Sequence, residues 1–239
     1  MKRLILCALA LLYAAAGFCQ KAGKASDTAK NEWLQSFTAV KVDAPVDLVF
    51  IQVPETEPPK IVYDTHGWTE SKFRFDVKNH VLRINERNDP KRTTDRTTVT
   101  VYYNTLEGVS VTDATAEFRN TITARIFDLE VNARASVVAA IEVQDLDLAV
   151  SGRNSRAELK GSVRYLTLNV SNGTVEAKDL QVMAAQANVT AGGSAFVDVT
   201  ERLAVTTSTN GRMRYKSEPA LLRHASRFLG GNIESFTQE

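Results

Sequence analysis

Cysteine is nearly absent from this 239-residue chain. There are two, Cys7 and Cys19, both within the first twenty residues. Beyond them no thiol remains for a disulfide, a Cys-x-x-Cys zinc site or a cysteine nucleophile. Histidine is also scarce: His66, His80 and His224 are far apart, and no His-Glu-x-x-His occurs. No Gly-x-Ser-x-Gly elbow is present, and Gly192-Gly193 and Gly230-Gly231 lack the lysine of a phosphate loop. No metal, cofactor or catalytic residue is therefore expected. Charge of one sign is missing too, since 29 Lys and Arg oppose 28 Asp and Glu for a net charge of +1. That balance gives no electrostatic reason to expect nucleic acid.

After residue 20 no apolar run reaches the roughly 18 residues of a membrane span. The mature chain is expected to have none. The run that does exist is at the start: Lys2 and Arg3 precede apolar Leu4 to Phe18, and Gly17-Phe18-Cys19 follows. A short positive region, an apolar stretch and small residues at −3 and −1 form a secretory signal over residues 1–19. Export to the periplasm or the cell surface follows. Lipid attachment at Cys19 is the less favoured alternative, because bulky Phe18 stands where a lipoprotein signal has a small residue. Residues 20–35 are mostly small and polar and are expected to form a flexible tether.

What the chain has in quantity is repetition. Phe127-Asp-Leu-Glu-Val-Asn-Ala, Leu146-Asp-Leu-Ala-Val-Ser-Gly, Leu166-Thr-Leu-Asn-Val-Ser-Asn and Ala185-Gln-Ala-Asn-Val-Thr-Ala align without gaps. Leu203-Ala-Val-Thr-Thr-Ser fits beneath them one residue out of step, which puts Ala204 and Thr206 in the apolar columns. Read at Leu129, Leu148, Leu168, Ala187 and Ala204, the steps are 19, 20, 19 and 17 residues. Alternate positions share one face of a strand. Stacked about 4.8 Å apart, they make continuous apolar ladders. Asn132, Ser151, Ser171, Thr190 and Thr207 fall in an outward column. Corners follow at Ala133-Arg134, Gly152-Arg153, Asn172-Gly173, Ala191-Gly192 and Thr209-Asn210-Gly211, where Gly and Asn accept positive φ. A second strand then offers the inward pairs Val137 and Ala139, Ala157 and Leu159, Val175 and Ala177, Val197 and Val199, and Met213 and Tyr215. The expected fold is all-β, a single-stranded, right-handed β-helix or β-solenoid with coils of about 19–20 residues. The domain spans 36–236, with repeats over about 109–216.

Before the repeats, Val40-Lys-Val42, Val46 to Ile51, Ile61 to Tyr63 and Thr97 to Tyr103 read as strands. Phe73 to Val77 and Val81 to Ile84 read as a hairpin about the two-residue loop Asn79-His80. Asn88 to Thr94 reads as an exposed loop. After Pro219, Leu221, Leu222, Ala225 and Phe228 recur at helix-like spacing. Residues 219–236 are therefore expected to form a short C-terminal cap that covers the open end.

Function has to lie in what departs from the repeat. On the outer face the cations Arg134, Arg153, Arg156 and Arg164 accompany the carboxylates Glu142, Asp145, Asp147, Asp179 and Asp198. Of these, Arg134, Arg153, Arg156, Asp145 and Asp147 are the candidate binding residues. Carboxylates beside Arg or Lys on a β-helix also suit a polysaccharide lyase or hydrolase, if their spatial separation permits acid–base work. Asn169, Asn172 and Asn188 begin Asn-x-Ser/Thr patterns, at positions already rich in such residues.

The chain resembles the putative auto-transporter adhesin, head GIN domain proteins of Bacteroidetes. The likeness runs from Phe37 to Glu234. It rests on Phe37-Thr-Ala-Val-Lys-Val-Asp-Ala-Pro-Val-Asp-Leu, Asn79-His-Val-Leu-Arg-Ile, Thr98-Val-Thr-Val-Tyr-Tyr-Asn-Thr-Leu-Glu-Gly-Val-Ser-Val, the Leu-x-Val-Ser-Gly/Asn rows and Asn210-Gly-Arg-Met-Arg-Tyr-Lys-Ser-Glu-Pro. Ala133-Arg134 and Thr209-Asn210-Gly211 depart from the family's Gly- and Ser-rich corners. The resemblance implies a β-helical, exported protein with no catalytic residues to carry over, and a connecting loop or short helical turn around Asp64 to Ser71. The leading expectation is a non-catalytic binding, adhesion or envelope-scaffold module. A polysaccharide-active enzyme is the first alternative and an envelope stress-sensing or assembly module the second. A cell-surface protein, a glycan and a second copy of the chain stay open as partners.

Overall fold

A strand that is apolar on one side and polar on the other can stack on its own successors, and from residue 39 this chain does so. The computed structural model describes residues 29–68, 70–87 and 95–236. The expected signal, both cysteines, most of the tether and the loop at 88–94 lie outside the described residues.

The N-terminal strands are β1 (Lys30–Trp33), β2 (Ala39–Asp43), β3 (Val46–Gln52), β4 (Lys60–Asp64), β5 (Phe73–Lys78), β6 (Val81–Glu86), β7 (Thr97–Tyr103), β8 (Gly108–Thr112) and β9 (Thr115–Phe118). A 3-10 turn, Glu70–Lys72, precedes β5, in agreement with the expected connection there. Asn79 and His80 both take left-handed backbone, φ 54° and 59°, and join β5 to β6 as an antiparallel hairpin. Spatial order differs from chain order here. The coil made by β6 and β7 stacks outside the one made by β2 and β3, which in turn stacks on β8 and β9. Beyond β7 lie the antiparallel strands β4 and β1, so the parallel stack ends in antiparallel strands. Phe50 lies under this end, stacked on Phe118 at 4.5 Å and edge-on to Tyr103 at 6.4 Å.

The repeats follow as β10 (Ile122–Asn132), β11 (Ser136–Ser151), β12 (Arg156–Ser171), β13 (Thr174–Thr190) and β14 (Ser194–Ser208), and the chain closes with β15 (Gly211–Tyr215), β16 (Leu221–Arg227) and β17 (Gly231–Ser235). Each long strand is one coil. In β11 a first ladder runs over residues 136–143, the pairing lapses at Gln144, and a second ladder covers 145–151. Arg125, Arg164 and Met183 interrupt neighbouring coils at the matching position, so the bend is itself a column. Inward side chains align as expected: Leu129, Leu148, Leu168 and Ala187 in one column, Val131, Val150, Val170 and Val189 in the next, all buried. Each fully buried Leu or Val stabilises the stack by about 1.5–3 kcal/mol.

Four expectations change. Lys30–Trp33 is not tether but an exposed edge strand paired with β4. In β14 the register sets Leu203, Val205 and Thr207 against Ala185, Ala187 and Val189, and all three are buried. Ala204 and Thr206 therefore point outward and Thr207 inward. In the first ladder of β14, Ala195 and Val197 continue the columns of Val175 and Ala177, whereas Val199 lies beside Val182. Register shifts between Ala177 and Gln181 absorb the difference. Finally, 221–236 is two further strands rather than a helical cap, β16 on β14 and β17 on β15. The ladders turn polar instead: Val189 is followed by Thr207 and Ser226, and Val205 by His224.

Candidate functional site

The five candidate residues are spread over the second ladder, the corners and the first ladder. Asp145 adjoins the bend and lies between Ile126 and Tyr165; Asp147 follows two residues later. Arg153 lies at the corner, six residues beyond Asp147, or about 20 Å along an extended strand. Arg134, at the preceding corner, holds the Asp113 carboxylate through Nε and Nη2, each at 3.1 Å. Arg156 is on the first ladder, with Nη2 3.5 Å from Glu158 Oε2. The structure does not bring these carboxylates and arginines together.

The remaining groups are also dispersed. Arg164 lies over the Tyr165 ring at 5.3 Å. Glu142 pairs in register with Thr123 and Ser162. Lys216 Nζ bridges exposed Asp179 at 3.9 Å and buried Asp198 at 3.5 Å. Among the described residues, no three His, Cys, Asp or Glu side chains gather where they could hold a metal ion. No helix there is long and apolar enough to cross a membrane.

One arrangement was not evident from the sequence. The outward columns of the second ladder divide by chemistry. Towards the N-terminal coils Asp128 stacks on Asp147, with Glu130 two residues along and hydrogen-bonded by Ser110 Oγ at 2.9 Å. Partial burial, and then the Asp147 and Glu130 carboxylates, hold the Asp128 carboxyl above its usual range. Towards the C-terminal coils the same columns become neutral: Asp147 gives way to Thr167, Gln186 and Ala204, and Glu130 to Ala149, Asn169, Asn188 and Thr206. Next come Arg223 and Ala225 on β16.

Alanine at 204 and 225 lowers the surface between longer neighbours. The result is a depression of about 460 Å³ with amide side chains on one side and Arg223 and Arg227 on the other. A second hollow, about 550 Å³, adjoins β2 and β6, but its charges are of both signs and its Asp113 is already held by Arg134. The arginines of the C-terminal depression were hidden by the helix-like spacing of Leu221, Leu222, Ala225 and Phe228. Asn169 and Asn188 carried a signal, their outward position in successive rows.

The profile of the family described as putative auto-transporter adhesin, head GIN domain, matches residues 36–219. The chain belongs to that family. Solved structures agree on the head GIN fold. A putative adhesin from Bacteroides fragilis is 18% identical with a TM-score of 0.79, over 87% of this chain and 96% of its own. One from Parabacteroides distasonis is 20% identical at 0.68, over 87% and 96%. One from Parabacteroides merdae is 18% identical at 0.66, over 87% and 95%. No curated protein matches the chain. At these identities the likeness concerns the fold, and the outer face of this head GIN domain has to be read from its own residues.

Proposed function

We propose that this protein is an exported, non-catalytic adhesion module that uses the second-ladder outer face as an extended contact surface. The observation that carries the reading is the neutral half of that face. Thr167, Asn169, Gln186, Asn188 and Thr206 project from adjacent strands in fixed register, and none of their side chains bonds to another protein group. The ladder has already ordered the backbone that carries these donors and acceptors, so binding has only their side-chain rotamers left to fix. The family's adhesin description and the signal at residues 1–19 support the same reading. Its test is retention of the purified mature protein on envelope fragments from the producing cells. Saturable retention is expected; its absence would count against adhesion.

The polysaccharide-cleaving alternative has one observation in its favour, the stacked Asp128 and Asp147. Two carboxylates with unequal environments can divide acid and base roles. Release of new reducing ends from an acidic glycan, abolished by Asp147→Asn, would establish it over the non-catalytic reading.

A further inference from the structure

We propose that the depression over β12, β13, β14 and β16 binds an acidic polysaccharide. The inference rests on the adhesion reading and names the ligand class for that face.

Three observations select the chemistry. The first is charge. Arg223 and Arg227 are exposed at the rim, neither has an acidic partner, and no carboxylate lines the depression. A guanidinium without a partner offers two parallel N–H donors to a carboxylate or sulfate. The acidic half of the same face begins only at Asp147, on the strand before Thr167. An anionic chain would be drawn to the C-terminal coils and repelled from the earlier ones.

The second is the set of neutral groups. Asn169 lies beside Asn188, about 4.8 Å away across the strands, and Gln186 stands two residues before Asn188 on the same strand, between Thr167 and Ala204. Each amide offers donors and an acceptor together, which suits the hydroxyls of a sugar. The lining contains no Phe, Tyr or Trp ring, and its one imidazole, His224, is tied to Thr207 at 2.8 Å. A neutral sugar held by stacking its C–H face, or a single-stranded nucleic acid held by stacked bases, would require one. Hydrogen bonding and charge are what this surface supplies.

The third is length. Arg223 and Arg227 are four residues apart on one extended strand, about 13 Å. A lone small anion would engage one of them, whereas a polymer with repeated acidic groups can engage both.

The test is binding of the full mature protein to immobilised polygalacturonate, with fully methyl-esterified polymer, dextran, polyglutamate and anionic phospholipid vesicles as comparisons. Saturable binding to polygalacturonate that weakens with added salt is expected, at least tenfold tighter than to any comparison. Arg223→Gln/Arg227→Gln should lose at least tenfold in affinity. Arg83→Gln/Arg212→Gln, which removes equal charge outside the depression, on β6 and β15, should stay within twofold of the parent. Matched melting curves would show that both variants fold. Equal binding to methyl-esterified polymer, stronger binding to vesicles or polyglutamate, or equal losses in the two arginine pairs would overturn the proposal. Retention on envelope fragments without binding to polygalacturonate would overturn the ligand class and leave adhesion standing. Failure of both would remove the adhesion reading as well.

Discussion

Thr207 Oγ1 and His224 Nε2 lie 2.8 Å apart and share a hydrogen bond where the ladders end. Thr207 is fully buried in the column that Val131, Val150, Val170 and Val189 fill in earlier coils. His224 occupies the next coil, in the column of Val205. A hydroxyl in an apolar column costs stability unless it is bonded, and the terminal histidine supplies the bond from the solvent side. The end of the solenoid is thus closed by a change of side-chain polarity within the ladders.

The pair should behave as a unit. His224→Ala leaves the Thr207 hydroxyl buried without its partner and is expected to cost about 1–3 kcal/mol. In a Thr207→Val background the same change should cost less, because no hydroxyl remains to satisfy. Urea unfolding of the four proteins gives the coupling, expected at about 1 kcal/mol. Additive costs would show that the bond contributes nothing.

Asp128 and Asp147 should oppose each other in the native state. A carboxyl raised in the folded protein favours folding while it is protonated in both states. That contribution is lost as pH rises through the native value, so the pair is least favourable at neutral pH. Asp147→Asn should therefore raise the thermal midpoint at pH 7, less so in high salt, and have no effect once both groups are protonated. A midpoint that falls at pH 7 would show that the Asp147 carboxylate makes a stabilising contact.

Two glycines should respond differently. Gly161 has φ 118°, and a Cβ there would lie 2.1 Å from the Ile141 carbonyl oxygen of the neighbouring strand. Gly161→Ala must displace backbone inside the stack and is expected to cost about 2–4 kcal/mol. Gly192, with φ 72°, has open space around its Cβ position, so only the left-handed backbone matters. Gly192→Asn should stay within about 1 kcal/mol, because Asn tolerates that region. Chemical denaturation of both variants checks the contrast.

The fold was legible where one physical demand acted alone. Leu129 to Val170 had to alternate because one side faces a core and the other water, and each row repeats that demand. It was illegible where two demands compete. At Leu203 the row stays in the columns of Ala185 and Ala187, but register shifts precede it and Thr207 disguises an inward position as an outward one, so the sequence pattern read one residue out of step. At 221–228 the inward His224 and Ser226 erased the alternation, which left Leu221, Leu222, Ala225 and Phe228 at a spacing that imitates a helix. Lys30–Trp33 is exposed at every residue and therefore has no apolar pattern to read. As for the site, Asn169 and Asn188 were placed outward from the sequence. Their union with Arg223 and Arg227 depended on β16 being a strand.

On the proposed function, inward columns hold the coils together while the outward amides make contact with a partner. Asn169→Ala/Asn188→Ala tests it directly when melting and retention on envelope fragments are measured on the same preparation. The thermal midpoint should stay within about 2 °C of the parent, as for surface changes generally, while retention is lost. A lowered midpoint with retention intact would contradict the account and assign the amide ladder to the scaffold.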